Sequence, residues 1–244
     1  MFRYIDFPVA IKKPDFEKIS QFDGCDISAV NENSKNLFKV LYMHRDLDSY
    51  KGEDFDENDR IMKVTYDKKI NLEEDIRFDF QDDFEKWFNR VTPKHIKIKS
   101  NGLLITKKGS AHIIHSDSTD GHSRVKINFV FADYTSCMEY MKPINKDKLY
   151  RYSDGICSGV PVADEKDCVV DKTVKYENWY PVLIDAMPLH RGNNRKGLST
   201  RLVVSYDIID TRNDNEITNY NDVEKIMEHL LIPKECKFNM LCDV

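Results

Sequence analysis

The sequence predicts a mainly β protein with flanking helices, an α+β chain whose core runs from about residue 95 to residue 210. Three observations lead there. Short segments rich in β-branched and aromatic residues follow one another between those limits, with Gly, Asn, Asp and Pro turn signals between them. Several alternate apolar and polar residues, as strands with two unlike faces do. Near the two borders of this region lie the clearest helical patterns, at 81–92 and 221–232. Many short strands with turns make a sandwich or a jelly-roll barrel. The 244 residues are enough for a substantial core without staples, and read as a single domain. A mixed helix and strand support region occupies 1–94, the β core 95–210, and a C-terminal helix and tail 211–244.

In chain order, PDFEKISQF (14–22) reads as a short helix. ENSKNLFKVLYMHRDL (32–47) has helical spacing at Leu37, Val40 and Leu41 but also suits a strand. The acidic stretch 45–60 reads as a solvated loop whose spacing matches no EF-hand. RIMKVTYDKK (60–69) alternates weakly. In 81–92, Phe84, Trp87 and Phe88 form one stripe, and Asp82 and Asp83 suit the N-terminal dipole. Eight strands are expected after it: HIKIK, GLLITKK, AHIIHSD, RVKINFVF, TSCMEYMK, KDCVVDKTVKY, WYPVLIDAMP and TRLVVSYDII. Asn221 is placed to cap the helix over 221–232.

Strand parity assigns faces. In RVKINFVF, Val125, Ile127, Phe129 and Phe131 share one face, while Arg124, Lys126 and Asn128 share the other. In RLVVSYDI, Leu202, Val204, Tyr206 and Ile208 oppose Arg201, Val203 and Ser205. In HIIHSD, Ile113, His115 and Asp117 point one way, His112 and Ile114 the other. Alternation alone permits two arrangements: polar faces lining a cavity, or polar faces turned to solvent as in a sandwich. His112 falls on the opposite parity and is expected to be packed or exposed.

Net charge is −5, and the densest basic run, KHIKIK, alternates with isoleucine. That argues against nucleic-acid binding as a main role. The six cysteines form no CxxC pair and read as free thiols of a reducing compartment, with Cys236 and Cys242 as the alternative metal or disulfide pair. MFRYIDFPVAIKK lacks the apolar core of a signal peptide, and no apolar stretch reaches membrane-spanning length. A cytoplasmic protein is expected.

The most specific chemistry lies in two pieces. AHIIHSDSTDGHSRVKINFVF (111–131) holds His115 and Asp117 two apart, and MPLHRGNNRKGLSTRLVVSYDI (187–208) holds His190 and then Arg201. Two imidazoles and one carboxylate make the facial triad that leaves three positions open on oxygen-activating iron(II). A hairpin across GNNRKGLS would set Arg201 beside the His190 strand, where a guanidinium can grip a carboxylate. Each residue also has a plainer reading: a turn-stabilising pair for His115 and Asp117, a corner histidine for His190, a surface ion pair for Arg201. Their order along the chain is what favours the metal site.

HSD, a long gap, then MPLHRGNN and TRLVVSYD resemble the iron(II)/2-oxoglutarate-dependent oxygenases, in particular the prolyl-hydroxylase-like and phage or marine bacterial types. The likeness covers roughly 95–210. It implies a double-stranded β-helix core, cupin-like in build, in which His115, Asp117 and His190 bind Fe(II) and carry the catalysis. It also implies that Arg201 binds the far carboxylate of 2-oxoglutarate, with Asn128 facing the cosubstrate or the metal; where some members have Ser two after the arginine this chain has Val203, and Ser205, two further on the same face, is the candidate hydroxyl contact. The implied enzyme is a dioxygenase that uses O2, converts 2-oxoglutarate to succinate and CO2, and hydroxylates a C–H bond, with ascorbate as a candidate reductant. A carboxylate at Asp117 favours hydroxylation over halogenation. The substrate would be a small molecule or a peptide. The segment 142–175 is expected to act as a lid over it. The alternative is a non-catalytic jelly-roll or cupin-type module that binds a metal or ligand.

Overall fold

The computed structural model describes residues 2–9, 11, 39–42, 55–56, 61–62, 79–106, 109, 111–112, 114–117, 125–145, 149–151, 161–176, 180–199, 201–212 and 219–233. The expected helix at 14–22 and most of the acidic loop lie outside them, as do His122, Trp179 and Cys25, Cys157, Cys236 and Cys242.

The protein is mainly β, as its sequence predicts. Its strands are β1 (Phe2–Tyr4), β2 (Lys39–Tyr42), β3 (Phe55–Asp56), β4 (Ile61–Met62), β5 (Ile96–Thr106), β6 (Ile114–His115), β7 (Val125–Phe131), β8 (Cys137–Pro143), β9 (Tyr150–Arg151), β10 (Pro161–Ala163), β11 (Cys168–Lys175), β12 (Pro181–Asp185), β13 (His190–Asn193) and β14 (Arg201–Asp210). One six-stranded sheet has the order β1-β12-β7-β14-β5-β2, the other β11-β8-β13-β6-β10-β9, and β3 pairs with β4 alone. Neighbours are antiparallel throughout, except that β2 runs parallel to β5. From β5 to β8 and again from β11 to β14, each successive strand lies in the opposite sheet.

The apolar stripes decide which face looks where. Helix α1 (Asp79–Val91) lays Phe80, Phe84, Trp87 and Phe88 on the outer face of the first sheet. There they meet Ile127, Phe129 and Phe131 of β7 and Leu202, Val204, Tyr206 and Ile208 of β14. Phe80 and Phe84 each sit 4.8 Å from the Phe129 ring. Each ring buried this way contributes about 2–3 kcal/mol. Thr92 closes the helix by donating to the Phe88 carbonyl at 2.7 Å, and Pro93 follows. The polar faces therefore turn inward, toward the second sheet. Lys126, Asn128, Arg201 and Ser205 are all buried there. Of the two arrangements that alternation allows, the protein adopts the lined interior.

Several expectations are corrected. HIKIK and GLLITKK form one strand, β5, because the SNG between them is a bulge: Ser205 pairs with Gly102 and Tyr206 with Ser100, leaving Asn101 extra. The C-terminal segment is a shorter helix α2 (Tyr220–Ile226) followed by a 3-10 turn (Glu228–Leu230). Its cap is Asn219, whose side chain accepts from the Asn221 amide at 2.8 Å. Strands β1 and β2 lie within the support region yet complete the first sheet. The lid segment is largely structural over its described part, since β10, a 3-10 turn (Glu165–Asp167) and β11 all belong to or border the second sheet. Among the described residues, no helix is long and apolar enough to cross a membrane.

Candidate metal centre

His115 and His190 face each other directly, because β6 and β13 pair at that one register position. Their rings lie 4.6 Å apart. Asp117 follows β6 in extended chain, anchored by its amide to the Ala186 carbonyl at 2.9 Å. Its Oδ1 is 3.5 Å from His115 Nε2 and its Oδ2 is 3.9 Å from His190 Nε2. One ligand atom from each of the three residues lies within 4.8 Å of the other two, so the group could hold a metal ion.

The surroundings prepare these atoms for ligation. His190 Nδ1 is 2.9 Å from the Pro188 carbonyl, which only accepts, so the ring proton sits on Nδ1 and the Nε2 lone pair faces the centre. Burial, helped by His115, pulls the His190 pKa down to about 4, so the ring is neutral at neutral pH. Burial works against the Asp117 charge, but Lys126, His115 and His190 outweigh it and hold the carboxyl well below the usual carboxylate range. Lys126 is the closest of these groups, with Nζ 2.6 Å from Asp117 Oδ2. Ser116 donates to the Met187 carbonyl at 2.6 Å and pins the loop that carries Asp117 to the one that leads to His190.

Arg201 opens β14 on the inner face of the opposite sheet. The expected hairpin does not form, since β14 pairs with β5 and β7 while β13 lies in the second sheet. The connection instead crosses from the second sheet to the first. Asn194 donates to the Thr106 and Ser199 carbonyls at 3.2 and 2.9 Å, and Asp133 accepts from the Leu198 and Ser199 amides at 2.7 and 3.0 Å. Arg201 consequently faces β13 across the interior rather than beside it. A Cβ placed on Gly192, two residues beyond His190, would lie 2.7 Å from Arg201 Nη1. One strand repeat, about 7 Å, separates Gly192 from His190, within reach of a short dicarboxylate.

The guanidinium is only 3% exposed, and its Nε has no hydrogen-bond partner among the described residues. Tyr176 lies against it, with the guanidinium carbon 5.8 Å from the ring centroid. Burial pulls the Arg201 pKa down, and the groups that oppose this are the phenol of Tyr176 and the thiol of Cys137, not a carboxylate. The other two arginines of the segment that leads to β14, Arg191 and Arg195, are engaged elsewhere. Arg191 binds Glu139 at 2.7 Å and Glu165 at 3.0 Å, and Arg195 binds Glu165 at 2.6 Å.

Asn128 and Ser205 meet on neighbouring strands, where the Ser205 hydroxyl donates to Asn128 Oδ1 at 2.8 Å. Tyr140 is buried with its ring centroid 6.3 Å from that of His190, whereas Tyr134 is 75% exposed and lines nothing. Tyr180, just before β12, is exposed. Sequence reasoning gave no role in the site to Lys126, Tyr176, Gly192 or His112. The parity of Lys126 with Asn128, and of Gly192 with His190, was the available signal for two of them. His112, expected off the cavity, is buried in it. Three residue steps from His112 to His115 face only two from Gly192 to His190, so an extra residue reverses the parity.

A scan against models of known protein families returns no match for this chain, and no curated protein matches it.

Proposed function

We propose that this protein is an iron(II)- and 2-oxoglutarate-dependent dioxygenase that hydroxylates a C–H bond of a small-molecule or peptide substrate. The observation that carries the reading is the pairing of His115, Asp117 and His190 with a buried guanidinium that meets no carboxylate among the described residues. A buried charge without a partner is costly, and a binding module for metal alone has no use for it. The sheet order also supports the reading. Strands β5 to β8 and β11 to β14 alternate between two four-stranded sets, as in a double-stranded β-helix.

The donor set fits ferrous iron: two imidazoles and one ionised carboxylate, the facial set that leaves the metal's remaining positions for exogenous ligands. Bound iron with 2-oxoglutarate would supply the activation of O2 that yields succinate, CO2 and a hydroxylated product. The chain's own contribution is positioning. His190 is held as a ligand by the Pro188 carbonyl. Lys126 occupies one oxygen of Asp117 and leaves the other for the metal. Arg201 orients the far carboxylate of the cosubstrate, and the Tyr176 phenol, pushed up by burial and so protonated, supports it. With the Ser205 hydroxyl donated to its oxygen, Asn128 retains an amide nitrogen to offer the cosubstrate. The apolar wall of Met138, Tyr140, Val182 and Ile184 keeps water from the interior.

Anaerobic addition of iron(II) and 2-oxoglutarate should give a weak visible charge-transfer band that is absent in Asp117→Ala. Aerobic incubation with ascorbate should release succinate. Absence of both band and succinate in the wild-type protein would return the chain to the metal- or ligand-binding module.

A further inference from the structure

We propose that Lys126 is a positioning residue that holds the bound iron in its ferrous state, acting on the metal through Asp117; the inference rests on the iron part of the reading above. Lys126 Nζ lies 2.6 Å from Asp117 Oδ2, and the lysine is 8% exposed. Asp117 Oδ1, the oxygen it leaves, is 3.5 Å from His115 Nε2. One carboxylate therefore serves both a buried ammonium and the group that could hold a metal ion.

The lysine is not needed to place that carboxylate. The Asp117 amide donates to the Ala186 carbonyl at 2.9 Å, and the Ser116 hydroxyl donates to the Met187 carbonyl at 2.6 Å, so the chain around Asp117 is fixed through its own backbone and neighbour. Nor does packing ask for a cation there. Val125 and Ile127 take the outer face of β7, which leaves Lys126 on the inner face, with Ile184 of β12 and the partly exposed Asp207 of β14 as its register partners. Burying an ammonium has a desolvation cost that an apolar residue at this position would not carry. What the ammonium supplies is a bias in charge. Its hydrogen bond draws electron density from the carboxylate, which weakens Asp117 most as a donor to the more highly charged ion. Its charge also repels a trivalent ion more than a divalent one. Both effects favour iron(II) over iron(III). One unit of charge added about 5 Å from a unit charge, at an effective dielectric constant of about 20–40, changes the ratio of the two states by about tenfold to a hundredfold. The opposite charge of Asp207 moves the expectation toward the lower value. The couple is one electron, taken by the ferric ion from a donor such as ascorbate, and no bond of the protein forms or breaks.

The reduction potential of the iron-loaded protein tests this. Iron(II) is the probe, and an anaerobic redox titration without 2-oxoglutarate, followed by the ferric EPR signal, is the readout. Lys126→Met and Lys126→Gln should lower the potential by the equivalent of about tenfold to a hundredfold in the ferrous-to-ferric ratio, about 59–118 mV for a one-electron couple. Lys126→Arg, which keeps the charge, should stay within about threefold of wild type in that ratio, about 28 mV. An unchanged or raised potential in Lys126→Met, or a potential in Lys126→Arg as low as in Lys126→Met, would each overturn the role. Loss of iron(II) binding in the variants would overturn it too, since the lysine would then be needed to hold Asp117 in place. A wild-type protein that binds no iron(II) would instead overturn the metal-centre reading, and this inference with it.

Discussion

Arg201→Met separates a functional guanidinium from a structural one, because the two roles predict opposite signs. Methionine keeps most of the apolar stem and removes the charge. In the ligand-free protein the guanidinium is 3% exposed, and none of the groups that favour its charge is a carboxylate. Burying such an ion costs several kcal/mol, of which its hydrogen bond to Tyr176 returns about 1.5–3 kcal/mol. The substitution should therefore stabilise the ligand-free fold by about 1–3 kcal/mol, a rise of about 2–10 °C in Tm for a chain of this size. The cosubstrate shows the reverse. Two charge-assisted hydrogen bonds to a carboxylate are worth about 3–6 kcal/mol, so affinity should fall by about two to four orders of magnitude. At a hundredfold excess over its dissociation constant, 2-oxoglutarate should raise wild-type stability by about 2.7 kcal/mol and leave the variant unmoved. Thermal melts of the Mn(II)-loaded proteins, with and without 2-oxoglutarate, read both effects. A variant that melts lower than wild type and keeps its ligand-induced shift would refute the reasoning, since Arg201 would then be a structural residue.

Three further outcomes follow from the geometry. Gly192→Ala should displace Arg201, whose Nη1 would lie 2.7 Å from the new methyl, and weaken 2-oxoglutarate binding while metal affinity holds; calorimetry on the Mn(II) form checks it. Glu139→Ala strips the well-buried Arg191 of its closest partner and should cost about 3–5 kcal/mol, whereas Glu165→Ala, at the exposed end of the same network, should cost no more than about 1 kcal/mol; urea unfolding compares the two. In metal-free protein the folded state resists protonating His190 until about pH 4, while the unfolded chain takes that proton near 6.5. The stability this confers is complete above pH 6.5 and should decline by up to about 3 kcal/mol toward pH 4, and urea midpoints of chelator-treated protein should fall over that window in wild type but stay flatter in His190→Leu.

Strand parity reached the interior wherever a strand was regular. Along β7 and β14, Lys126, Asn128, Arg201 and Ser205 lie on the face that alternation separates from the apolar one, and all four are buried. It failed where one residue breaks the period. The bulge at Asn101 looked like a turn between two strands, and the extra residue before His115 hid His112. Nothing in a sequence marks an ordinary residue such as Asn101 as the unpaired one, because a bulge is a property of two strands and only one is visible at a time. The Arg201 hairpin failed for a related reason. Eight residues from Gly192 to Ser199 suit a tight connection, yet Asn194 and Asp133 spend their side chains on carrying the chain across to the other sheet. Edge strand β1 was missed and β2 was left open between helix and strand, because three or four residues carry too little pattern.

Lys126 shows why polar interiors are hard to read and why they matter. A lysine alternating with apolar residues on a strand reads as solvated, and on most strands that is correct. Here the ammonium is 8% exposed, 2.6 Å from a carboxylate that two imidazoles also face. A pair of sheets needing only stability would fill these inner positions with the Val and Ile found at Val182 and Ile184. Instead the chain holds two cations, one carboxylate and at least three imidazoles inside, and among the described residues Asp117 is paired with Lys126 while Arg201 meets no acid. The excess is positive before any metal arrives and grows by two when a divalent ion binds. An anionic ligand with charge at both ends, as proposed for the cosubstrate, would bring that interior back toward neutrality.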